Sequence, residues 1–242
     1  MTTQSPKTLI SFVVPAYNEE RLLGRTLEAI HAAARAVAEP YELIVVDDGS
    51  SDGTAATADA NGAHVVRVQF RQIARTRNAG ARAALGSTLI FVDADTIVPV
   101  ATLRATIDAL SRGAVGGGAA VYLDGRLPLW AWLLLPVFRG ILRAGRLAAG
   151  CYVFCSRAAF DAVGGFDEQL YAAEEIAFSR TLRQMGPVVI LREPVMTSGR
   201  KLRAHSGWEV LRLTAALMRR GTALVRSRDR LSIWYGDRHD DL

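Results

Sequence analysis

The stretch Leu-Ile-Phe-Val-Asp-Ala-Asp, residues 89–95, joins a strongly apolar run to two carboxylates that are one residue apart. A short apolar run bounded by polar residues predicts a buried strand of a parallel sheet. A charged group at the end of such a strand needs a partner, because burying an unpaired charge is costly. In open α/β sheets, ligands bind outside the carboxyl ends of the strands. Asp93 and Asp95 therefore mark a candidate ligand site at one edge of the predicted sheet.

The two aspartates offer hard oxygen donors, which suit Mg2+ or Mn2+. Such an ion takes its remaining ligands from substrate phosphates and water when the protein supplies one or two carboxylates. The first hypothesis is therefore a metal–phosphate site. The alternative is local, with Asp95 or Thr96 capping a helix that is predicted to start near Pro99. A lone Asp-x-Asp tripeptide is too common to decide between them.

The composition is that of a globular chain with a basic balance. Half of the 242 residues are hydrophobic, which is enough for a sizeable core and excludes a disordered chain. The formal net charge of +5 fits phosphate-bearing ligands, nucleic acid or an anionic membrane surface. The two cysteines, Cys151 and Cys155, have no His or Cys set nearby, so we expect neither a zinc site nor a disulfide framework. A reducing cytoplasm is the simpler interpretation.

Two segments bear on membrane association. Residues 1–7 are short and polar and do not resemble the apolar region of a signal peptide. The apolar segment Leu127–Phe138 is shorter than the ~20 residues that a spanning helix needs, and it contains two prolines. We therefore expect no span, but a segment that lies on a surface or lines an acceptor site. Trp130 and Trp132 suit the membrane–water interface, where tryptophan is enriched.

Strands and helices alternate through the first half of the chain. Strands are predicted at Leu9–Val14, Leu43–Val46, His64–Val68 and Leu89–Asp93, with helices between them, the first capped by Asn18 and that at 75–85 by Gly86. This rhythm indicates βαβ units and a parallel sheet. Later strands are expected at 119–123, 150–155 and 187–191, a helix at 174–185 and an amphipathic helix at 208–225.

No linker rich in Pro, Gly or Ser divides the chain, so one domain over residues 1–242 is predicted. Residues 8–113 would form a nucleotide-binding half, residues 114–205 an acceptor-side half, and residues 206–242 an amphipathic helix and tail.

In a parallel sheet, three predicted strand ends meet at one edge, which makes a small-molecule site there. Glu19 and Asp48 follow the first two strands and would accept hydrogen bonds from a nucleoside, while the aspartates at 93 and 95 hold the metal on its diphosphate. Arg75 and Arg77 would add positive charge to the same phosphates. The alternative for both arginines is a solvated helix face.

Five motifs occur in series: Pro-Ala-Tyr-Asn-Glu (15–19), Asp-Asp-Gly-Ser-Ser-Asp-Gly-Thr (47–54), Arg-Asn-Ala-Gly (77–80), Phe-Val-Asp-Ala-Asp (91–95) and Gly-Gly-Phe-Asp-Glu (164–168). In this order and spacing the chain resembles glycosyltransferase family 2 over roughly residues 10–186. The resemblance implies an α/β fold of the GT-A type, with a mainly parallel central sheet flanked by helices and a C-terminal helical extension. It also implies a nucleotide-diphosphate sugar donor, a divalent metal and inversion at the anomeric carbon.

The resemblance assigns roles to particular residues. The nucleoside would be held by Pro15, Tyr17, Glu19 and Asp48, and Asp93 and Asp95 would be the Asp-x-Asp motif, with Asp95 the more direct metal ligand. The family places a Glu-Asp pair shortly after Gly-Gly-Phe-Asp-Glu, with the Asp as the base that takes the acceptor's proton. Here the pair is Glu174-Glu175, which puts a longer side chain in the place of that base. The alternative is that both acids merely suit a helix N-terminus.

The segment after the last predicted strand is rich in cations. Arg200, Lys201 and Arg203 would close over a diphosphate, and His205 would be a third metal ligand, as a His of such a loop is in some relatives. Other relatives take a third ligand two residues after Asp-x-Asp, but Ile97 there cannot ligate. A structural or solvated role is the alternative for His205.

Arginines at positions 212, 219 and 226 recur at seven-residue spacing beside apolar residues, which fits a basic interfacial helix or a core-packed helix with a solvated stripe. An interfacial helix would place the protein in the cytoplasm, peripheral at the inner face of the plasma membrane, with a lipid-linked or cell-envelope acceptor.

These observations predict a metal-dependent, inverting glycosyltransferase that moves a sugar from a nucleotide-diphosphate sugar to a hydroxyl acceptor. One alternative is a nucleotidyltransferase, although residues 15–18 lack the glycine that its phosphate-binding loop would need. Another is a non-catalytic sugar-nucleotide binder. Nucleic acid is not expected as a partner, because aromatic and basic residues do not interleave as they do in single-strand binders.

Overall fold

The computed structural model describes residues 8–125, 128–200 and 226. The strands within this part are β1 (Ile10–Ala16), β2 (Tyr41–Asp47), β3 (His64–Arg67), β4 (Thr88–Val92), β5 (Thr96–Ile97), β6 (Gly116–Leu123), β7 (Tyr152–Ser156) and β8 (Val188–Thr197). The helices are α1 (Glu20–Val37), α2 (Thr54–Ala60), α3 (Ile73–Ala83), α4 (Val100–Ser111), α5 (Leu129–Gly145), α6 (Arg157–Val163) and α7 (Glu174–Met185).

All eight strands form one mixed sheet in the order β3-β2-β1-β4-β7-β6-β8-β5. The first four strands of this order are parallel, which confirms the prediction for the first half of the chain. β7 runs antiparallel to β4 and to β6, whereas β6 and β8 are parallel to each other. Because of this reversal, Tyr152 at the start of β7 lies beside Val92 at the end of β4. The segment that precedes β7 therefore reaches the edge where the parallel strands end.

The core lies on both faces of the sheet. β1 and β4 are buried along their whole lengths, because helices cover each face. On one face Phe12 and Val14 pack with Leu23 and Leu27 of α1. On the other face Val13 packs in a cluster that draws on α3, α6 and α7. The apolar strands thus fill the middle layer of an α/β/α sandwich, and their polar ends emerge together at one edge.

Three predicted helix caps are wrong. Asn18 does not cap α1, since the residue before the helix is Glu19 and the Asn18 side chain instead accepts from Ser51 N at 2.9 Å. Neither Asp95 nor Thr96 caps α4, because Pro99 occupies that position and Thr96 lies in β5. The local alternative for the Asp-x-Asp pair is thereby removed.

The third predicted cap, Gly86, is not a cap, and close packing explains why a glycine stands at this position. α3 ends at Ala83 with Ala84 at its cap, two residues before Gly86. A Cβ at position 86 would lie 2.6 Å from the carbonyl oxygen of Leu9 and would also meet the hydroxyl of Ser11. Gly86 is therefore a position of close approach between backbones, which favours glycine as strongly as a cap does.

Several strands predicted in the second half of the chain are too short. The glycines at 116–118 belong to β6, and β8 continues to Thr197 rather than ending at Leu191. The helix α6 was not predicted. The segment expected on a surface, Leu127–Phe138, contributes to α5, and within the described residues no helix combines the length and apolarity that crossing a membrane requires. The predicted helix at 208–225 lies outside the described residues.

Candidate active site

Two loops at the ends of β1 and β2 are tied together by hydrogen bonds. Asn18 N donates to Ser50 Oγ at 3.0 Å, and Glu19 N donates to Thr54 Oγ1 at 2.8 Å. In return, Gly53 N donates to a carboxylate oxygen of Glu20 at 2.7 Å. These bonds satisfy backbone donors where α1 and α2 begin, so the loops hold one shape. They fix Glu19, which is buried, at the edge of the sheet.

The Asp-x-Asp pair lies in a tight turn directly after β4. Thr96 N donates to Asp93 O at 3.0 Å, and Thr26 Oγ1 of α1 donates to Ala94 O at 2.9 Å. The turn presents both carboxylates at the sheet edge, where the side chain of Asp93 is 31% exposed and that of Asp95 is 11% exposed. The structure thus places the two predicted metal ligands next to each other on a rigid support.

Arg77 joins three elements at the base of this turn. Its Nη1 donates to Glu174 Oε1 at 2.6 Å, and its Nη2 donates to Asp93 Oδ1 at 2.9 Å and to Gly150 O at 2.7 Å. The guanidinium is almost fully buried. Burial lowers the pKa of Arg77, but the charges of Asp93 and Glu174 raise it more, so it stays protonated. In this geometry Arg77 holds the Asp-x-Asp turn against α7, and its bonded nitrogens face the protein.

Glu175 lies beside this cluster on the first turn of α7. A Cβ at position 150 would lie 3.4 Å from Glu175 Cδ and 3.4 Å from Arg77 Nη2, so Gly150 leaves space against both groups. Burial raises the pKa of Glu175 to about 8, with a further contribution from the charge of Glu174. A carboxyl whose pKa lies near neutral pH is well matched to accept and release a proton. The adjacent Glu174 instead pairs with Arg77 and so connects α7 to α3.

Arg200 bridges two other carboxylates at the same edge. Its Nη2 donates to Glu19 Oε1 at 2.5 Å and to Asp95 Oδ2 at 3.2 Å. Thr197 Oγ1, at the end of β8, donates to the other oxygen of Asp95 at 3.0 Å. Burial lowers the pKa of Arg200, and the hydrogen bond and charge of Glu19 reverse that effect. The segment after β8 therefore supplies a cation to a site whose acids follow β1 and β4.

Asp48 is engaged by the protein itself. Its two carboxylate oxygens accept from the backbone N–H groups of Phe70, Arg71 and Gln72 and from Thr76 Oγ1, at 2.5–3.1 Å. A carboxylate has about four lone-pair positions, so these four bonds fill it. Asp48 holds the loop before α3 in this structure, and its predicted contact with a nucleoside would require one of these bonds to be exchanged.

The remaining predicted residues that the structure describes make contacts of their own. Pro15 is inside β1, paired in register with Val46. Tyr17 follows β1, and the guanidinium of Arg71 lies 3.3 Å from the centre of its ring. Arg75 is 47% exposed on α3, where it lies 3.6 Å from a carboxylate oxygen of Glu168. His205 lies outside the described residues.

Among the residues that contact this site, Arg71, Gly150 and Thr197 were not singled out from the sequence. A signal was present only for Thr197, which falls within the cationic segment after the last strand. Arg71 and Gly150 could not be recognised from the sequence, because each contacts the site through a residue that is distant along the chain.

The family model for glycosyl transferase family 2 matches residues 11–163. The chain belongs to this family. Among curated proteins it is similar to an undecaprenyl-phosphate 4-deoxy-4-formamido-L-arabinose transferase of Serratia proteamaculans, with 36% identity over 107 residues. That match covers 39% of this chain and 31% of the Serratia protein, so the chain spans about a third of the length of the curated relatives it matches.

Solved structures show that this family member has the GT-A fold. A mannosyltransferase from Pyrobaculum calidifontis, solved with GDP-mannose and Mn2+, superposes with a TM-score of 0.66 at 22% identity, over 96% of this chain and 70% of that one. A glucosyl-3-phosphoglycerate synthase from Mycobacterium tuberculosis, solved with Mn2+, UDP and its product, gives a TM-score of 0.60 at 22% identity, over 90% and 80%. The predicted fold class and family are both confirmed.

The donor set of this family member fits a divalent metal held partly by substrate. Among the described residues, no three His, Cys, Asp or Glu side chains group closely enough to hold an ion by themselves. Asp93 and Asp95 provide two carboxylates on one rigid turn, and Arg200 already brings a positive charge to Asp95. Two carboxylates completed by phosphate oxygens and water are a usual environment for Mg2+.

Proposed function

We propose that this protein is an inverting glycosyltransferase that uses a nucleotide-diphosphate sugar and a divalent metal. The observation that carries the proposal is the hydrogen-bonded chain Glu174–Arg77–Asp93, which joins the candidate base helix to the metal-binding turn. Inversion requires a base on the acceptor side and a counter-charge on the leaving-group side. This chain of bonds fixes the helix that carries the candidate base relative to the turn that would hold the metal, which supports direct transfer in one step.

The donor would lie along the ends of β1, β2 and β4. Tyr17 and Glu19 stand at the start of that path, and Arg200 reaches it from the end of β8. Arg200 would exchange its carboxylate partners for diphosphate oxygens, since a guanidinium binds both groups in the same planar geometry. Such an exchange keeps the guanidinium of Arg200 paired throughout. Glu19 would then accept from the nucleoside.

Asp93 and Asp95 would hold the metal ion, with Asp95 the more direct ligand. When bound, the ion would supply positive charge to the departing diphosphate. Arg77 would keep Asp93 correctly oriented for this task, because it donates to one oxygen of that carboxylate.

Glu175 would take the proton from the acceptor hydroxyl as the oxygen attacks the anomeric carbon. The pKa of about 8 makes its carboxylate basic enough for this, and its side chain is only partly buried, which would leave it open to the acceptor. A base of this kind contributes roughly 10²–10⁴-fold to the rate.

A lipid phosphate is a second candidate for the acceptor group. The curated relatives are named for undecaprenyl phosphate, and the chain is 36% identical to one of them over the matched part. A phosphate acceptor is already ionised at neutral pH, so it would depend little on Glu175. Both buried thiols, Cys151 and Cys155, are free, which supports work in the reducing cytoplasm for either acceptor.

Thermal shift with a panel of UDP-, GDP- and TDP-sugars, each with and without Mn2+, tests the proposal. A ligand that binds the native state raises the unfolding temperature by mass action. We expect one donor class to stabilise the protein, and to do so strongly only with the metal. Product formation with that donor should then follow. Stabilisation by no donor, or by a donor with equal strength in chelator, would contradict the proposal.

A further inference from the structure

The solvent side of α5 carries an aliphatic ridge. Leu134, Val137 and Ile141 recur at spacings of three and four residues, so they lie along one line of the helix surface. Their side chains are 55%, 60% and 59% exposed. Scattered single apolar residues on a surface are normal, but a continuous row of large ones marks a site that another surface covers. We refer to these three residues as the α5 ridge.

A second stripe on α5 combines tryptophan with arginine. Trp132, Arg139 and Arg143 recur at spacings of seven and four residues, so they also lie along one line, and Arg146 follows directly after the helix. Trp132 is 68% exposed, and Arg143 and Arg146 are exposed as well. The guanidinium of Arg139 lies 4.1 Å from the centre of the Tyr122 ring on β6. With about 100° per residue, this line lies roughly opposite the α5 ridge, and the exposed positions Pro136 and Gly140 lie between the two lines.

The charge of this region is entirely positive. Residues 126–160 contain no Asp or Glu, and they include five arginines, at positions 126, 139, 143, 146 and 157. An aliphatic face combined with arginines and an exposed tryptophan is the composition of a helix that lies in the interface of an anionic bilayer. A second copy of this chain is disfavoured as the occupant of the exposed face between the two lines, because an antiparallel symmetric contact there would bring the two arginine stripes together.

Both ends of α5 connect to the candidate active site. Before the helix, Asp124 accepts from Gly199 N at 2.8 Å, next to Arg200. After it, Gly150 O accepts from Arg77 Nη2 at 2.7 Å. A surface that binds α5 would therefore lie close to both connections, the one beside Arg200 and the one at Arg77.

We propose that α5 is the docking surface of this protein for an anionic lipid bilayer. The α5 ridge enters the boundary between headgroups and acyl chains, and Arg143 and Arg146 contact lipid phosphates. The inference goes beyond the proposed function, since docking depends neither on the donor nor on the acceptor group.

Flotation of the full chain with phosphatidylcholine vesicles, with and without phosphatidylglycerol, tests this docking. Wild-type protein should float with the anionic vesicles, and less so at high salt. Val137→Ser combined with Ile141→Ser should weaken partitioning by at least ~tenfold, because both side chains lose their transfer from water. Arg143→Gln should weaken it about fivefold.

The matched control is Leu85→Ser, which removes a leucine that is 82% exposed on the loop before β4. It should float like the wild type, and all variants should keep the wild-type unfolding temperature and donor affinity without vesicles.

Three outcomes would overturn the inference. The first is equal flotation of the ridge variant and the wild type. The second is a wild-type dimer in light scattering that the ridge variant converts to a monomer without vesicles, which would assign the ridge to a second copy. The third is flotation that survives the ridge substitutions but is lost in Leu211→Ser with Leu217→Ser, which would assign docking to the predicted C-terminal helix.

Discussion

Two arginines at the candidate site each bridge two carboxylates, yet they are held very differently. Arg77 donates to Asp93 and Glu174 from the middle of α3, and its side chain is 2% exposed. Arg200 donates to Asp95 and Glu19 from the end of β8, and its side chain is 29% exposed. Each therefore pairs with one member of the Asp-x-Asp motif: Arg77 with Asp93 from the protein interior, and Arg200 with Asp95 from the solvent side.

The difference separates a structural cation from an exchangeable one. Arg77 also donates to a backbone carbonyl, so leaving its place would expose several buried acceptors at once. Breaking a buried ion pair costs far more than breaking one near the surface. Arg200 can trade one anionic partner for another at little cost. In the proposed function, one arginine would fix the geometry of the catalytic groups and the other would respond to the donor.

The largest expected effect comes from removing the buried cation. Arg77→Met should lower the free energy of unfolding by ~3–5 kcal/mol, because Glu174 and Asp93 lose their partner. Urea denaturation measures this change, and activity should be lost in parallel. The exposed Arg82→Gln, on the same helix, serves as the control and should be near wild type.

A double substitution then sharpens the test. In Arg77→Met with Glu174→Gln, no buried charge is left unpaired beside α7, so much of the lost stability should return. If the double variant is no more stable than Arg77→Met alone, the Arg77–Glu174 pair does not carry the stability assigned to it.

The next effect concerns Glu175, the proposed base beside the buried cluster. Glu175→Gln should lower kcat by ~10²–10⁴-fold with a hydroxyl acceptor and leave donor affinity nearly unchanged, because the amide cannot take a proton. Glu175→Asp should recover part of the rate, since it restores a base at a shorter reach. Single-turnover kinetics and calorimetric donor binding measure the two quantities, with the exposed Glu28→Gln as the control. Full turnover by Glu175→Gln would remove this residue from the chemistry or indicate a phosphate acceptor.

The raised pKa of Glu175 also predicts how stability depends on pH. The carboxyl has a pKa of about 8 in the folded protein against an ordinary value of 4.5. Between these two values the folded state holds more protons than the unfolded state, so the free energy of unfolding falls as the pH rises through this window. Glu175→Gln removes this contribution, so the free energy of unfolding of the variant relative to the wild type should increase from pH 5 towards pH 8. Parallel denaturation curves for the two proteins across that range would contradict the shift.

The exchangeable cation predicts two effects of opposite sign. Arg200→Gln removes a positive charge next to Asp95, so Mn2+ alone should bind more tightly. The same variant should bind the nucleotide-diphosphate sugar about tenfold more weakly, because a charged hydrogen-bond donor to the phosphates is lost. Electron paramagnetic resonance of free Mn2+ and calorimetry of the donor measure the two affinities. The control is Arg192→Gln, on the exposed side of β8, and a change of equal sign for both ligands would contradict the exchange.

The sequence predicted the parallel half of the fold because its strands are continuous apolar runs that must be covered on both faces. It could not give the direction of β7, since the same apolar run satisfies either direction of pairing. It also missed α6, which is seven residues long and too short for a clear helical period.

The candidate site was predictable only where the chemistry lies in adjacent residues. Asp93 and Asp95 form one local motif, and their turn supports the predicted role. The bonds of Asp48 could not be foreseen, because its backbone partners lie 22 to 24 residues away along the chain. Arg75 and Arg77 were predicted to act together, but residues two apart point to different sides of a helix. One of them is consequently buried and the other exposed.

That contrast gives the smallest expected effect. The pair between Arg75 and Glu168 has an N–O distance of 3.6 Å, with side chains 47% and 43% exposed. Such a pair contributes below about 1 kcal/mol, so Arg75→Gln should unfold at nearly the same urea concentration as the wild type. Its donor affinity should also be unchanged, because Glu168 and the ring of Phe70 engage the guanidinium. A loss of donor affinity comparable to that in Arg200→Gln would return Arg75 to the phosphate site, and the division between fixed and exchangeable arginines would then need a third member.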